Sequence, residues 1–169
     1  MRLIYLFAGM LVLMGIMSGC TTKEKPKSED EAFKEYVRLI GESAPKRDKA
    51  FTYAEEAANA VRRGDYDLAI EIERKIILIW RELENDYKKA ANIIEDDELK
   101  SYAEINAEIA NLYIKYNELL IDSVNCLIYG DIKCVKQKQQ DIKKISNRIE
   151  LLSEMSHNLY LKLNKEGKL

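Results

Sequence analysis

Proline and glycine are scarce in this chain, two and seven in 169 residues. That excludes the turn-rich architectures built from many short strands and leaves few places where a helix must stop. A surplus of one charge is also lacking. The 27 basic and 29 acidic residues leave a formal net charge of −2, so nothing marks a nucleic-acid partner and no acidic tail marks disorder. Histidine occurs once, at His157, and cysteine three times, at Cys20, Cys126 and Cys134. No C-x-x-C-H haem site, glycine-rich phosphate loop or nucleophile elbow is present. A catalytic triad would have to use His157 as its base with no recognisable nucleophile turn. The chain is therefore expected not to be an enzyme and to carry no cofactor or metal. What is abundant, Ala, Leu, Ile, Glu and Lys, favours long helices.

The amino terminus has a different composition. After Met1 and Arg2, residues Leu3 to Met17 form an almost unbroken apolar run. It has the length of a signal-peptide core and falls short of the roughly 20 residues a membrane span needs. The run ends in Met17, Ser18, Gly19 and Cys20, which resembles the lipobox of bacterial and archaeal lipoproteins: an aliphatic residue, two small residues, then cysteine. The resemblance implies cleavage before Cys20 and a diacylglyceryl group on its sulfur. It departs from the commonest pattern in having Met17 where Leu is usual and a single basic residue in the leader. An uncleaved short anchor and a buried core helix are the competing readings. Small side chains at positions 18 and 19 suit a narrow protease site, and the thiol supplies a nucleophile for lipid transfer. The expected division is a signal peptide over 1–19, an acylated Cys20 with a flexible tether through residue 30, and a helical domain over 31–169. Thr21 to Asp30 is polar, with alternating charges and Pro26, as a tether requires. The expected location is the extracytoplasmic side of a membrane, with the membrane and other envelope proteins as partners and no nucleic acid.

The remaining chain predicts four amphipathic helices. The second carries Ala69, Ile72, Ile76, Ile79, Leu83, Tyr87, Ala90 and Ile94 at spacings of three and four, the signature of a bundle seam. The third runs through Leu99, Tyr102, Ile109, Tyr113, Tyr116, Leu120, Val124 and Leu127, and the fourth through Ile132, Val135, Ile142, Ile145, Ile149, Leu152, Leu159 and Leu163. The first keeps Phe33, Tyr36, Ile40, Ala50, Ala54, Ala57 and Val61 in phase across Gly41 and Pro45. Gly64-Asp65 and Gly130-Asp131 suit hairpin turns, because glycine accepts a left-handed cap and aspartate caps the next helix. The two turns also align at an offset of 66 residues, which fits either a duplication or two hairpins of similar length. An all-α, elongated up-down-up-down four-helix bundle follows, with helices of about 45 Å. Around the first turn, Gly64, Asp65, Tyr66, Ala69 and Ile70, with Tyr53 and Ala57 upstream, resemble the turn of a tetratricopeptide repeat. The second helix runs past the point where that family turns again, so the likeness implies hairpin geometry and not a peptide-binding array.

Few constellations carry chemistry. Cys126 and Cys134 flank Gly130 at four residues on either side, so they can face each other across the hairpin as a structural disulfide. Two buried thiols or a redox or metal pair are the alternatives. Glu154 and His157 form half of the Glu-x-x-His pattern of di-iron bundles, whose second half is missing. Tyr102, Tyr113 and Tyr116 lie near Asn106, Asn111 and Asn117 on the third helix. They read either as ordinary seam chemistry or as one wall of a polar groove for a small ligand or peptide. A cavity lined by tyrosine and asparagine favours the groove, and a bundle filled by Ile and Leu counts against it. The fourth helix is basic, through Lys133, Lys136, Lys138, Lys143, Lys144 and Arg148, while the third is acidic. That favours their antiparallel pairing over contact with anionic lipid. The leading expectation is thus a structural or protein-interaction module, with ligand binding as the alternative.

Overall fold

The computed structural model describes residues 28–169, and the chain there is all-α. Helix α1 spans Glu29–Arg62, α2 Tyr66–Ile93, α3 Asp97–Ile128 and α4 Ile132–Lys165. Each start has a side-chain cap that satisfies amides without an intrahelical partner. Ser28 and Glu31 form a reciprocal capping box at α1, which places the helix start inside the stretch expected to be tether. Asp65 accepts from the Leu68 amide, Asp96 from the Glu98 and Leu99 amides, and Asp131 from the Cys134 amide. The two hairpin turns are alike. Gly64 and Gly130 take φ of 78° and 68°, and the following Asp65 and Asp131 amides both donate back to carbonyls at 2.9 Å, on Ala60 and Cys126. Helix α1 continues through Pro45. No helix among the described residues is long and apolar enough to cross a membrane.

The helices pack in chain order, α1 on α2, α2 on α3 and α3 on α4, whereas α1 and α4 form no comparable seam. The up-down bundle is therefore closed on three sides and parted on the fourth. Ion pairs between helices follow the same order. Lys46 meets Asp86 and Lys89 meets Glu35 between α1 and α2, and Arg81 meets Glu118 between α2 and α3. Lys138–Asp122, Arg148–Glu108 and Lys162–Glu98 join the acidic α3 to the basic α4.

The core explains where the fourth side opens. At one end Tyr36 and Leu39 of α1, Ala90 of α2, Leu99 and Ala103 of α3 and Leu163 of α4 make one cluster. The Tyr36 hydroxyl donates to the Leu99 carbonyl at 2.8 Å. Farther along, Ala50 and Ala57 pack on Ile76, Trp80, Leu83, Ala110 and Ile114, while Ile149 and Leu152 of α4 pack separately on Ile109. Each such Ile or Leu contributes about 1.5–3 kcal/mol on burial. Over this middle stretch α1 and α4 thus bury their apolar faces against different neighbours, and a cleft runs between them. Two seam residues expected inside are exposed: Phe33, at the start of α1, and Ile132, in the first turn of α4. Both lie near a helix end, where no facing helix among the described residues covers them. In the opposite sense, Glu73 of α2 is buried, and its Oε2 has no hydrogen-bond partner among the described residues.

Candidate functional site

The cleft between α1 and α4 is the candidate site. Its main cavity has a volume of about 560 Å³, within the range of small-molecule sites. A smaller one of about 240 Å³ adjoins it, sharing Phe51, Trp80 and Tyr113. Along α3 the lining runs from Tyr102 to Asn117, about 22 Å at 1.5 Å per residue.

The centre of the cleft is aromatic. Tyr113 stacks on Trp80 with ring centroids 4.1 Å apart and planes 10° from parallel. Phe51 of α1 meets both rings edge-on at 5.9 Å, and Tyr116 meets Tyr113 edge-on at 6.4 Å. These are favourable quadrupolar arrangements. Trp80 is only 2% exposed but Phe51 is 47% exposed, so one ring is rigid floor and the other is an accessible rim. Toward the closed end Tyr102 lies 6.3 Å from Tyr160 of α4.

Around the rings the lining is polar. The Asn106 amide donates to the Tyr102 carbonyl at 2.7 Å and to Ser156 Oγ at 2.9 Å, tying α3 to α4 below the cleft. The Asn117 amide donates to the Tyr113 carbonyl. Ser153 and His157 line the α4 wall, both exposed, while Gly41, Ala44, Arg47 and Asp48 line the α1 wall. A Cβ on Gly41 would touch nothing within 4 Å, and Pro45 has no amide to offer the Gly41 carbonyl. The α1 wall is therefore open as well as small. Burial pushes the Tyr102 and Tyr113 hydroxyls above their ordinary pKa, and the charge of Arg47 draws both back down.

The expected site residues divide clearly. Tyr102, Tyr113, Tyr116, Asn106 and Asn117 do gather in the cleft. Asn111 does not: one hundred degrees of rotation per residue turns it to the other face of α3, where its amide donates to Glu84 at 3.1 Å. That other face has a depression of about 530 Å³ bounded by Glu84, Lys88, Glu104 and Glu108. Its lining has no aromatic residue, and its Glu84 carboxylate is already met by Lys88 and Asn111. His157 lies in the cleft without a carboxylate cluster around it, and among the described residues no group of three or more His, Cys, Asp or Glu side chains converges as metal donors. Cys126 and Cys134 are bonded as a disulfide with Cα atoms 5.8 Å apart, outside the cleft. Lys138 and Arg148 pair with α3 and Lys144 with Asp141, so half of the basic stripe on α4 is neutralised within the bundle. Cys20 and its leader lie outside the described residues.

Sequence reasoning missed Phe51, Trp80, Arg47 and Ser153. Trp80 had a signal, since it sits four residues after Ile76 and three before Leu83, in the register of the core stripe. Arg47 and Ser153 had none, because what distinguishes them is a facing helix that stands away. No family model, curated protein or solved structure matches the chain.

Proposed function

We propose that this protein is a lipid-anchored extracytoplasmic binding module, in which Cys20 carries the membrane anchor and the cleft between α1 and α4 holds a ligand without chemical turnover. The observation that supports the ligand half is the lining of the cleft: an aromatic floor of Trp80, Tyr113 and Phe51 edged by amides and hydroxyls. A bundle acting only as a spacer gains nothing from leaving such a face open. Ile and Leu across the gap would bury about 25 cal/mol per Å² of additional apolar surface. The anchor half is supported by the sequence Met17-Ser18-Gly19-Cys20 behind an apolar leader, and two acyl chains would hold the domain stably at a membrane.

The full chain, expressed with its leader and released from membranes, tests both halves by mass spectrometry. The expected amino terminus is a diacylated Cys20, and recovery with Met1 to Gly19 attached would overturn the anchor. Native spectra of the same preparation are expected to show a bound mass that disappears in Ser153→Trp, whose indole fills the cleft from its exposed wall. An unchanged adduct, or none in either protein, would count against ligand binding.

A further inference from the structure

We infer that the cleft selects a small ligand with one anionic group and a flat apolar body, the anion held by Arg47 and the body lying against the Phe51, Trp80 and Tyr113 rings. This rests on the reading of the cleft as a binding site and adds the chemical class of its ligand.

The observation that carries it is a missing counter-charge. Among the described residues, the Lys and Arg side chains that are not exposed are Lys46, Arg47, Lys138 and Lys168. Lys46 pairs with Asp86 at 2.6 Å, Lys138 with Asp122 at 2.5 Å and Lys168 with Asp96 at 3.0 Å. Arg47 is partly buried, lines the cavity, and makes no ion pair or side-chain hydrogen bond among the described residues. Removing a cation from water without a partner is costly, and proteins ordinarily pair or expose such groups. Asp48 also borders the cavity, but from the exposed rim, and it makes no ion pair with its neighbour.

The surroundings fit an anion that arrives from outside. Arg47 lines the same cavity as Tyr102 and Tyr113, and its charge lowers the hydroxyl pKa of both, against the burial that raises them. Ser153 and His157 of α4 line the same cavity and add a hydroxyl and an imidazole as hydrogen-bonding groups. A guanidinium offers a planar fork that meets a carboxylate or a phosphate with two parallel hydrogen bonds. In the same cavity, Phe51, 47% exposed, and the Tyr113 ring stacked on Trp80 form the apolar part of the lining. The cavity volume of about 560 Å³ suits such a molecule and is too small for a folded partner.

Because Trp80 is the chain's single tryptophan, its emission reports binding directly. The probes are 3-phenylpropionate and its neutral amide, 3-phenylpropionamide, titrated into the released full-length protein, with phenyl phosphate as the second anion. The expected result is that both anions bind about tenfold more tightly than the amide, the difference one charge-assisted hydrogen-bonded pair supplies. Arg47→Gln should abolish that preference, and Arg47→Lys should restore part of it. The comparison of probes on the unaltered protein needs no variant, so a folding defect cannot mask the answer. Equal binding of acid and amide would overturn the anion assignment and leave the cleft as an apolar site. Binding by none of the probes would overturn the ligand class, and the native mass spectra would then decide separately whether the cleft holds anything.

Discussion

Replacing Glu73 with glutamine should stabilise this protein by an amount that grows as pH rises from about 4.5 to about 7. The side chain is 6% exposed, and its Oε2 lacks a partner among the described residues. Burial alone raises its carboxyl from the ordinary 4.5 to about 7, because the low-dielectric interior penalises the charged form. The folded chain therefore keeps this proton up to about pH 7, whereas the unfolded chain releases it near pH 4.5. Between those values the native state binds more protons than the unfolded state, so stability falls as pH rises through the window and changes no further above it. The displacement corresponds to about 3 kcal/mol. Glutamine has the same shape and never ionises. Urea unfolding of both proteins at pH 4, 6 and 8 is the assay. Near pH 4 the two should be equally stable. At pH 8 the variant should be more stable by up to about 3 kcal/mol, with an intermediate gain at pH 6. A gain independent of pH, or a loss at pH 8, would refute the account of Glu73 as a buried carboxylate without compensation.

Reducing the Cys126–Cys134 disulfide, which closes a loop of eight residues, should cost about 2.5 kcal/mol by the loop-closure relation, visible as a lower urea midpoint in reductant. Tyr36→Phe removes the bond to the Leu99 carbonyl and should destabilise by about 1 kcal/mol, with no effect on binding in the cleft. Glu98 is held at about 2 by hydrogen bonds from Lys162 and then Lys168. Its contribution is present above about pH 4.5 and lost as pH falls toward 2. The deficit of Glu98→Gln in thermal melts should therefore shrink in acid, and it should also shrink in high salt, since the pairs are solvated.

Four helices, their order and their antiparallel pairing were legible in the sequence, because each depends on local patterns. The three-and-four spacing of Ile72, Ile76, Leu83 and Tyr87 is a property of one helix. The left-handed demand at Gly64 and Gly130 and the capping chemistry of Asp65, Asp96 and Asp131 are properties of a few adjacent residues. The acidic third and basic fourth helices announced the Glu98–Lys162 and Glu108–Arg148 pairs in kind. Tertiary structure alone decided that α1 and α4 stand apart. An apolar stripe says that a helix buries a face, and it does not say against which neighbour. Only with the helices assembled do Phe51, Trp80 and Tyr113 become the floor of a cleft, Asn111 turn to its far side, and Arg47 emerge as a partly buried cation with no ion-pair partner among the described residues. The proposed anchor at Cys20 is the converse case: everything that argues for it lies in the order of residues along the chain, Met17-Ser18-Gly19-Cys20 behind an apolar run.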